Sequence, residues 1–448
     1  MRHASPRDTV PDNTAPPAEV IAIRPGRPLE GTVIVDGSKN AALPLLSAAA
    51  VVGAPVRVTN IPDSTDVHTM LGLLVGAGFD VVHIPGEAGS MVITPSRRHR
   101  IEAELLTAAS TIRASYYLAP ALLGRFGRAR LPWPGGCRIG DRGMEQHFRV
   151  YEAFGDRCST HRYGYEIQRS RAEQGTVSVA LPFRSRGATI VAILRAVVSR
   201  QELRLSTPNL SPETLGVVGA LESIGWVKAV ERDLLVLTPP TETATVHDLT
   251  WTVPGDKVEA GTLACAVAAT RGTARIEGVR AGDLAPALEH LRRTGVVVTE
   301  HVNGIEIDAR HIARDELPIH ASASLSPSGL DADFEPSLLA FALGIPGHHA
   351  FADTINPGRH ANLIPQLRCM GAEIEEVSPT QCRFAGPQRL TGAGVETTDI
   401  RTGAALLIAG LTAQGITTLG GLEQLRRGHA DLPGKLRALG ADICEVTP

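Results

Sequence analysis

The chain has 448 residues, of which 43% are hydrophobic, 20% charged and only 4% aromatic. This is the composition of an ordinary folded protein with room for two or three domains and a core built from Ala, Val, Leu and Ile. A net charge of −3 excludes a broad electrostatic footprint for nucleic acid or a membrane surface, so any anion site must come from locally clustered Arg and Lys.

Residues 1–20 are polar and rich in proline (Pro6, Pro11, Pro16, Pro17), and they lack the apolar stretch of a signal peptide. They are expected to form a disordered tail. No later apolar run reaches the roughly 18 residues that a membrane span needs.

Beyond the tail the chain repeats itself. A helix-like segment ends on an apolar residue, a Gly follows, and an alternating strand begins. The pattern recurs at Gly78, Gly155, Gly225, Gly295, Gly371 and Gly440, at intervals of 69 to 77 residues. Glycine suits a helix end that must turn left-handed before a strand. A second series of Ala-rich helices (Leu43–Val52, Ala119–Leu123, Leu263–Ala269, Leu406–Ala413) runs in the same phase. Its Gly markers are 53, 127, 272, 347 and 415, and the copy near Arg200-Gln201 lacks the glycine. These helices are apolar all round, which predicts burial. Six such units can form a six-bladed array or two groups of three, and units of this size favour two compact domains. The fold class is therefore α/β.

Six cysteines (Cys137, Cys158, Cys265, Cys369, Cys382, Cys444) form no C-x-x-C pair, which predicts reduced thiols and a cytoplasmic location. The 15 histidines form no H-E-x-x-H motif or Cys/His cluster, so no metal is expected. The pair His348-His349 is expected at a surface turn.

Two short motifs carry the functional signal. Gly37-Ser38-Lys39-Asn40-Ala41-Ala42-Leu43-Pro44 opens the first Ala-rich helix, and Pro134-Gly135-Gly136-Cys137-Arg138-Ile139-Gly140 forms a flexible loop with a thiol. Together with the six α/β units, these resemble the enolpyruvyl transferase family, from about Ile23 to Val446. The Lys-Asn pair and the Pro-Gly-Gly-Cys loop resemble the branch that acts on UDP-N-acetylglucosamine rather than the shikimate branch. The resemblance implies two inside-out α/β barrel domains, each of three βαβαββ-type repeats. Domain I would span residues 39–252 and domain II residues 21–38 plus 253–448. The chain would cross near Gly37 and near Trp251–Pro254, with the active site in the cleft between the domains. It also implies phosphoenolpyruvate as co-substrate, no cofactor, small-molecule partners only, and a monomer or weak homo-oligomer.

The donor carries about three negative charges, and fixed arginines meet that need best by bidentate contact. By resemblance, Lys39, Arg142 and Arg427 hold the phosphoryl group. Arg359 and Arg401 lie near the donor carboxylate, Arg113 is a further cleft arginine, and Asp399 orients Arg401 or touches the donor. Cys137 follows two glycines and is flanked by Arg138 and Arg142, which favour the thiolate. The resemblance makes it the proton donor to the methylene carbon or an aid to product release, and the family's target for fosfomycin. Asp333 is the candidate base for the acceptor hydroxyl, 26 residues before Arg359 as in the family, with Asp331 as its competitor. Arginines around such a carboxylate lower its pKa and weaken it as a base unless it is partly desolvated.

The acceptor side departs from the UDP-N-acetylglucosamine branch. Arg142 is followed by Gly143-Met144-Glu145 where that branch has Pro, an aliphatic residue and Asp. The stretch Arg184-Ser185-Arg186-Gly187 carries two arginines where the branch has a nearby Lys, Tyr117 stands for a Trp, and the acidic segment near Ser211–Thr214 is reduced. Asn40, Tyr117, Gly143, Met144, Glu145, Arg184, Ser185, Arg186, Gly187 and Asp333 form the expected acceptor set. The departures predict unchanged donor chemistry on an altered uridine nucleotide. The 3′-hydroxyl of UMP, used by a nucleoside-antibiotic branch of the family, is favoured over UDP-N-acetylglucosamine. A catalytically silent nucleotide-binding paralogue is the contrasting class, and the retained Cys137, Asp333 and cleft arginines count against it.

Overall fold

A computed structural model describes residues 19–96, 104–136, 139, 143–170, 175–241, 248–312 and 318–446. Six buried helices organise it: α1 (Lys39–Val52), α2 (Leu118–Phe126), α3 (Arg186–Ser199), α4 (Lys257–Ala269), α5 (Glu335–Ala342) and α6 (Ile400–Thr412). Helices α1, α2 and α3 pack on one another, as do α4, α5 and α6. Helix α4 is buried from Lys257 to Ala268, because small residues on every side let its neighbours approach closely. Each trio centres a separate core. One core draws on residues 41–253 and the other on residues 21–35 and 258–443. Cutting Leu406, fully buried in α6, to Ala is expected to cost about 2–5 kcal/mol.

The described strands form six sheets that lie outside the helix trios, three to each half. The sheets close each half on itself. Leu249–Thr252 pairs in parallel with Val56–Thr59 in the first half, and Glu30–Ile34 pairs in parallel with Thr273–Glu277 in the second. Val20–Arg24 sits between two strands near the C-terminus. Val20 opens that strand and Glu19 pairs with Arg426, so these two residues do not belong to the tail assigned to residues 1–20.

Six outer helices precede the repeat glycines: Thr65–Gly76, Glu145–Ala153, Pro212–Glu222, Ala285–Arg293, Arg359–Cys369 and Leu432–Ala438. All six glycines have φ between 77° and 97°, the left-handed turn that the spacing implied. In the copy without glycine, Arg200 takes φ 54° as the C-cap of α3. Gly272 is a correction to the second series, since Arg271 carries the positive φ at 58°. A Cβ on Gly272 would lie 2.0 Å from the Leu29 carbonyl oxygen, so glycine is required there for close approach.

The two halves meet where the chain passes twice between them. Gly37 bridges Gly255, Ser38 N–H donates to the Pro254 carbonyl (2.7 Å), and Asp256 N–H donates to the Asp36 carbonyl (2.8 Å). Side chains do not fit here. A Cβ on Gly37 would sit 1.9 Å from Asn60 O, and one on Gly255 would sit 1.7 Å from Gly278 O.

Candidate active site

A cleft of about 630 Å³ separates the two cores. All six buried helices send N-terminal residues to it: Lys39 and Asn40, Tyr116 and Tyr117, Arg186 and Gly187, Lys257, Phe334, and Ile400 and Arg401. A helix N-terminus carries a partial positive charge, so their convergence favours an anion in the cleft. Asp256 and Asp399 side chains cap α4 and α6, and Ser185 caps α3, which fixes the following cations in place.

At one end of the cleft, cations converge on Asp66 and Asp333. Lys39 Nζ lies 3.4 Å from one oxygen of Asp66, and Arg427 Nε donates to the other at 3.0 Å. Arg359 Nη2 reaches Asp333 Oδ1 at 3.1 Å, while Arg401 Nη2 and Asn40 Nδ2 reach Oδ2 at 3.0 and 3.2 Å. Burial alone would raise the Asp333 pKa. Arg401, Arg359 and Arg186 outweigh it and hold the carboxyl well below the usual range. Asp331 does not share that contact. Its carboxylate accepts from the Asp333 backbone N–H (3.1 Å) and pairs with cations at the other end of the cleft. The short helix α5 begins only at Glu335 with Phe334 as its N-cap, so neither aspartate caps it.

At the other end the charges are balanced. Arg186 Nη2 and Lys257 Nζ converge on the same Asp331 oxygen at 3.1 and 2.9 Å, and both also approach the buried Glu213, at 3.8 and 3.2 Å. Burial would lift the pKa of Asp331 and Glu213, but these two cations lower both. The same pairing raises the pKa of Lys257 against its burial. Beside this quartet, Tyr116 packs against His147 with ring centroids 4.4 Å apart, and the Arg113 guanidinium lies over Tyr116 at 5.8 Å. Arg113 also donates to the Gly143 carbonyl at 3.1 Å. Gly187 must be glycine, since a Cβ would come within 2.6 Å of Tyr116 Oη and 2.7 Å of His147 Nε2. Burial and Arg113 push the His147 pKa down to about 3, so its ring is neutral.

Of the residues singled out from sequence, Lys39, Asn40, Arg113, Tyr117, Gly143, Glu145, Arg184, Ser185, Arg186, Gly187, Asp333, Arg359, Asp399, Arg401 and Arg427 all line the cleft. Cys137 and Arg142 lie outside the described residues. Several expectations need correction. Met144, the N-cap of the helix Glu145–Ala153, is buried in the core of the first half and does not line the cleft. Arg184 borders the cleft, but its guanidinium is spent on Asp233 (2.7 Å) and the Pro208 carbonyl (3.0 Å). Asp399 accepts from the backbone N–H groups of Arg401 and Thr402 at 3.0 and 3.2 Å, so it caps α6 at the residue it was expected to orient. His349 is buried on its strand, with Nδ1 accepting from Ile319 N–H at 3.1 Å; only His348 faces outward.

Asp66, Glu213, Lys257, Tyr116, His147 and His429 were missed. Lys257 follows the second crossing, and His429 stands two residues after Arg427. Those neighbours were the only local signals, and Asp66 had none. Among the described residues no group of His, Cys, Asp and Glu could hold a metal ion. No described helix is long and apolar enough to cross a membrane.

The chain matches the EPSP synthase (3-phosphoshikimate 1-carboxyvinyltransferase) family over residues 23–436. It is 35% identical over 430 residues to UDP-N-acetylglucosamine 1-carboxyvinyltransferase 3 of Symbiobacterium thermophilum, covering 94% of this chain and 97% of that one. It is 32% identical over 430 residues to UDP-N-acetylglucosamine 1-carboxyvinyltransferase 1 of Halalkalibacterium halodurans, covering 96% and 94%. Among solved structures, the enolpyruvyl transferase NikO from Streptomyces tendae aligns with a TM-score of 0.83 at 26% identity, over 96% of this chain and 100% of that one. EPSP synthase from Acinetobacter baumannii shares the fold with a TM-score of 0.73 at 17% identity, over 96% and 100%.

Proposed function

We propose an acceptor for this chain, which belongs to the EPSP synthase family and is an enolpyruvyl (1-carboxyvinyl) transferase: the 3′-hydroxyl of UMP, taken in preference to UDP-N-acetylglucosamine. The observation that carries this reading is the pair Arg186 and Lys257, both aimed at one oxygen of Asp331. Two cations converging on one point suit a terminal phosphate monoester, whose charge sits on a single phosphorus. A diphosphate diester spreads its charge over two. In this reading the incoming phosphate replaces the Asp331 carboxylate, and neutral His147 with Tyr116 borders the base.

The chemistry follows from the donor end. Lys39 and Arg427, with Arg142, hold the donor phosphoryl group, and Arg359 and Arg401 face its carboxylate. Asp333 takes the proton of the acceptor hydroxyl as its oxygen bonds to the central carbon of phosphoenolpyruvate. Cys137 delivers a proton to the methylene carbon. Loss of phosphate and of one methyl proton from the tetrahedral intermediate restores the double bond. An Asp333 held ionised by two arginines is a weak base. Donor anions bound to Arg401 and Arg359 reduce that pull and raise its basicity, so the hydroxyl is activated only once the donor is seated. The five described cysteines are all free thiols, which supports placing the reaction in a reducing cytoplasm.

A phosphate-release assay with phosphoenolpyruvate and each nucleotide tests the acceptor. Release is expected with UMP. Turnover with UDP-N-acetylglucosamine and none with UMP overturns the preference.

A further inference from the structure

Behind the donor arginines lies a buried polar chain that the reaction as derived does not use. Arg401 bridges two acceptors. Its Nη2 donates to Asp333, and its Nη1 lies 3.1 Å from His429 Nε2. Arginine has no acceptor atom, so His429 Nε2 must be the acceptor and its proton must sit on Nδ1. Burial and the nearby Arg401 push the His429 pKa well below the usual range, consistent with a neutral ring.

His429 Nδ1 faces Glu259 Oε1 at 3.8 Å. Both atoms are buried and neither has a hydrogen-bond partner among the described residues. Each is therefore the natural partner of the other across a gap that a small shift would close. The other Glu259 oxygen is fully engaged. It accepts from Asp36 N–H at 2.9 Å and from Lys435 Nζ at 2.7 Å, and Lys435 also reaches the Asp36 carboxylate at 2.9 Å. Asp36 immediately precedes Gly37, where the chain passes between the halves. Gly428 holds the histidine in place, because a Cβ there would lie 2.9 Å from Ile400 Cγ2 at the start of α6.

We propose that His429, backed by Glu259, is a positioning residue that locks the Arg401 guanidinium against Asp333 and links that contact to the chain crossing at Asp36–Gly37. The proposal rests on the reading of Asp333 as the base. A guanidinium anchored on one edge only can rotate about its terminal bonds. An acceptor on the opposite edge removes that freedom, so Asp333 and the donor meet a cation of fixed direction.

Steady-state kinetics of the full-length protein with His429→Phe and His429→Gln tests this. Phe keeps the ring shape and loses both polar contacts; Gln can still accept from Arg401 and donate to Glu259. His429→Phe is expected to lower kcat about 100-fold, the scale of a small misplacement at a reacting centre, with KM for the nucleotide nearly unchanged. His429→Gln is expected to recover most of that loss. Native kcat in the Phe variant, or equal losses in both, overturns the proposal. Nitrogen-15 NMR of the unmodified protein gives a readout independent of turnover. A neutral His429 ring with its proton on Nδ1 is expected, and a charged ring or the Nε2–H form overturns the proposal even if the variants fail to fold. Native turnover by Asp333→Asn removes the base reading instead and leaves the NMR result standing.

Discussion

The two ends of the cleft use the same residue types in opposite ways. At the end that holds Lys39, four cations (Lys39, Arg427, Arg359 and Arg401) pair with three carboxylates (Asp66, Asp333 and Asp353) among the described residues, so cations exceed the carboxylates they contact. At the acceptor end, Arg186 and Lys257 are matched by Asp331 and Glu213. The first arrangement stores attraction for an anion. The second satisfies itself and must exchange a partner before a ligand phosphate can bind. An incoming anion therefore meets excess positive charge at the first end, whereas at the second it must compete with Asp331 and Glu213 for Arg186 and Lys257.

The largest expected effect comes from breaking the donor end at its centre. Asp333→Ala should lower turnover by about 1,000-fold or more, the upper range of general-base catalysis, while nucleotide binding measured by calorimetry persists. Unchanged turnover would remove Asp333 from its role. Next, Arg427→Ala is expected to cut kcat/KM for phosphoenolpyruvate about 100-fold, as a charged hydrogen bond worth roughly 2–3 kcal/mol is lost. If the loss appears in the nucleotide KM instead, the two ends have been assigned the wrong way round.

The acceptor end should respond more mildly and selectively. Arg186→Met is expected to raise the KM for UMP roughly tenfold, the effect of a partly exposed phosphate contact, and to leave the KM for phosphoenolpyruvate alone. An equal change in both would erase the contrast between the ends. The smallest effect concerns stability at acid pH. The folded chain holds His147 at about 3 against 6.5 for an ordinary histidine. The unfolded chain thus binds a proton that the folded chain refuses. The contribution is fully present above pH 6.5 and is lost as pH falls from 6.5 towards 3. His147→Phe should flatten that part of the melting-temperature profile, and an unaltered slope would show that His147 takes up its proton in the folded state.

Much of this architecture was legible as local pattern. The six glycines mark helix ends because a left-handed turn is a property of one residue and its neighbours. The Ala-rich helices are buried because their composition leaves no polar face to present to water. Arg359 and Arg401 could be singled out because the family resemblance places them by their position along the chain. Met144 was misjudged, and the Arg184–Asp233 pair was missed, for the opposite reason, since a side chain's direction depends on what packs beside it. Arg184 found Asp233 49 residues along the chain, and nothing near either residue announced the pair.

The sequence by itself determined the α/β class, the sixfold repeat and the supply of cations, because each rests on interactions within a turn or two of chain. Only the tertiary structure decided which carboxylate each cation meets. Asn40 reaches Asp333 across 293 residues and Arg427 reaches Asp66 across 361. Such pairs form because two separately packed cores bring six helix N-termini to one cleft. There, burial makes every unpaired charge costly, so charges are kept in contact with partners. That requirement gave Lys257, Glu213, Asp66 and His429 their places at the site, and none of it is written in the residues beside them.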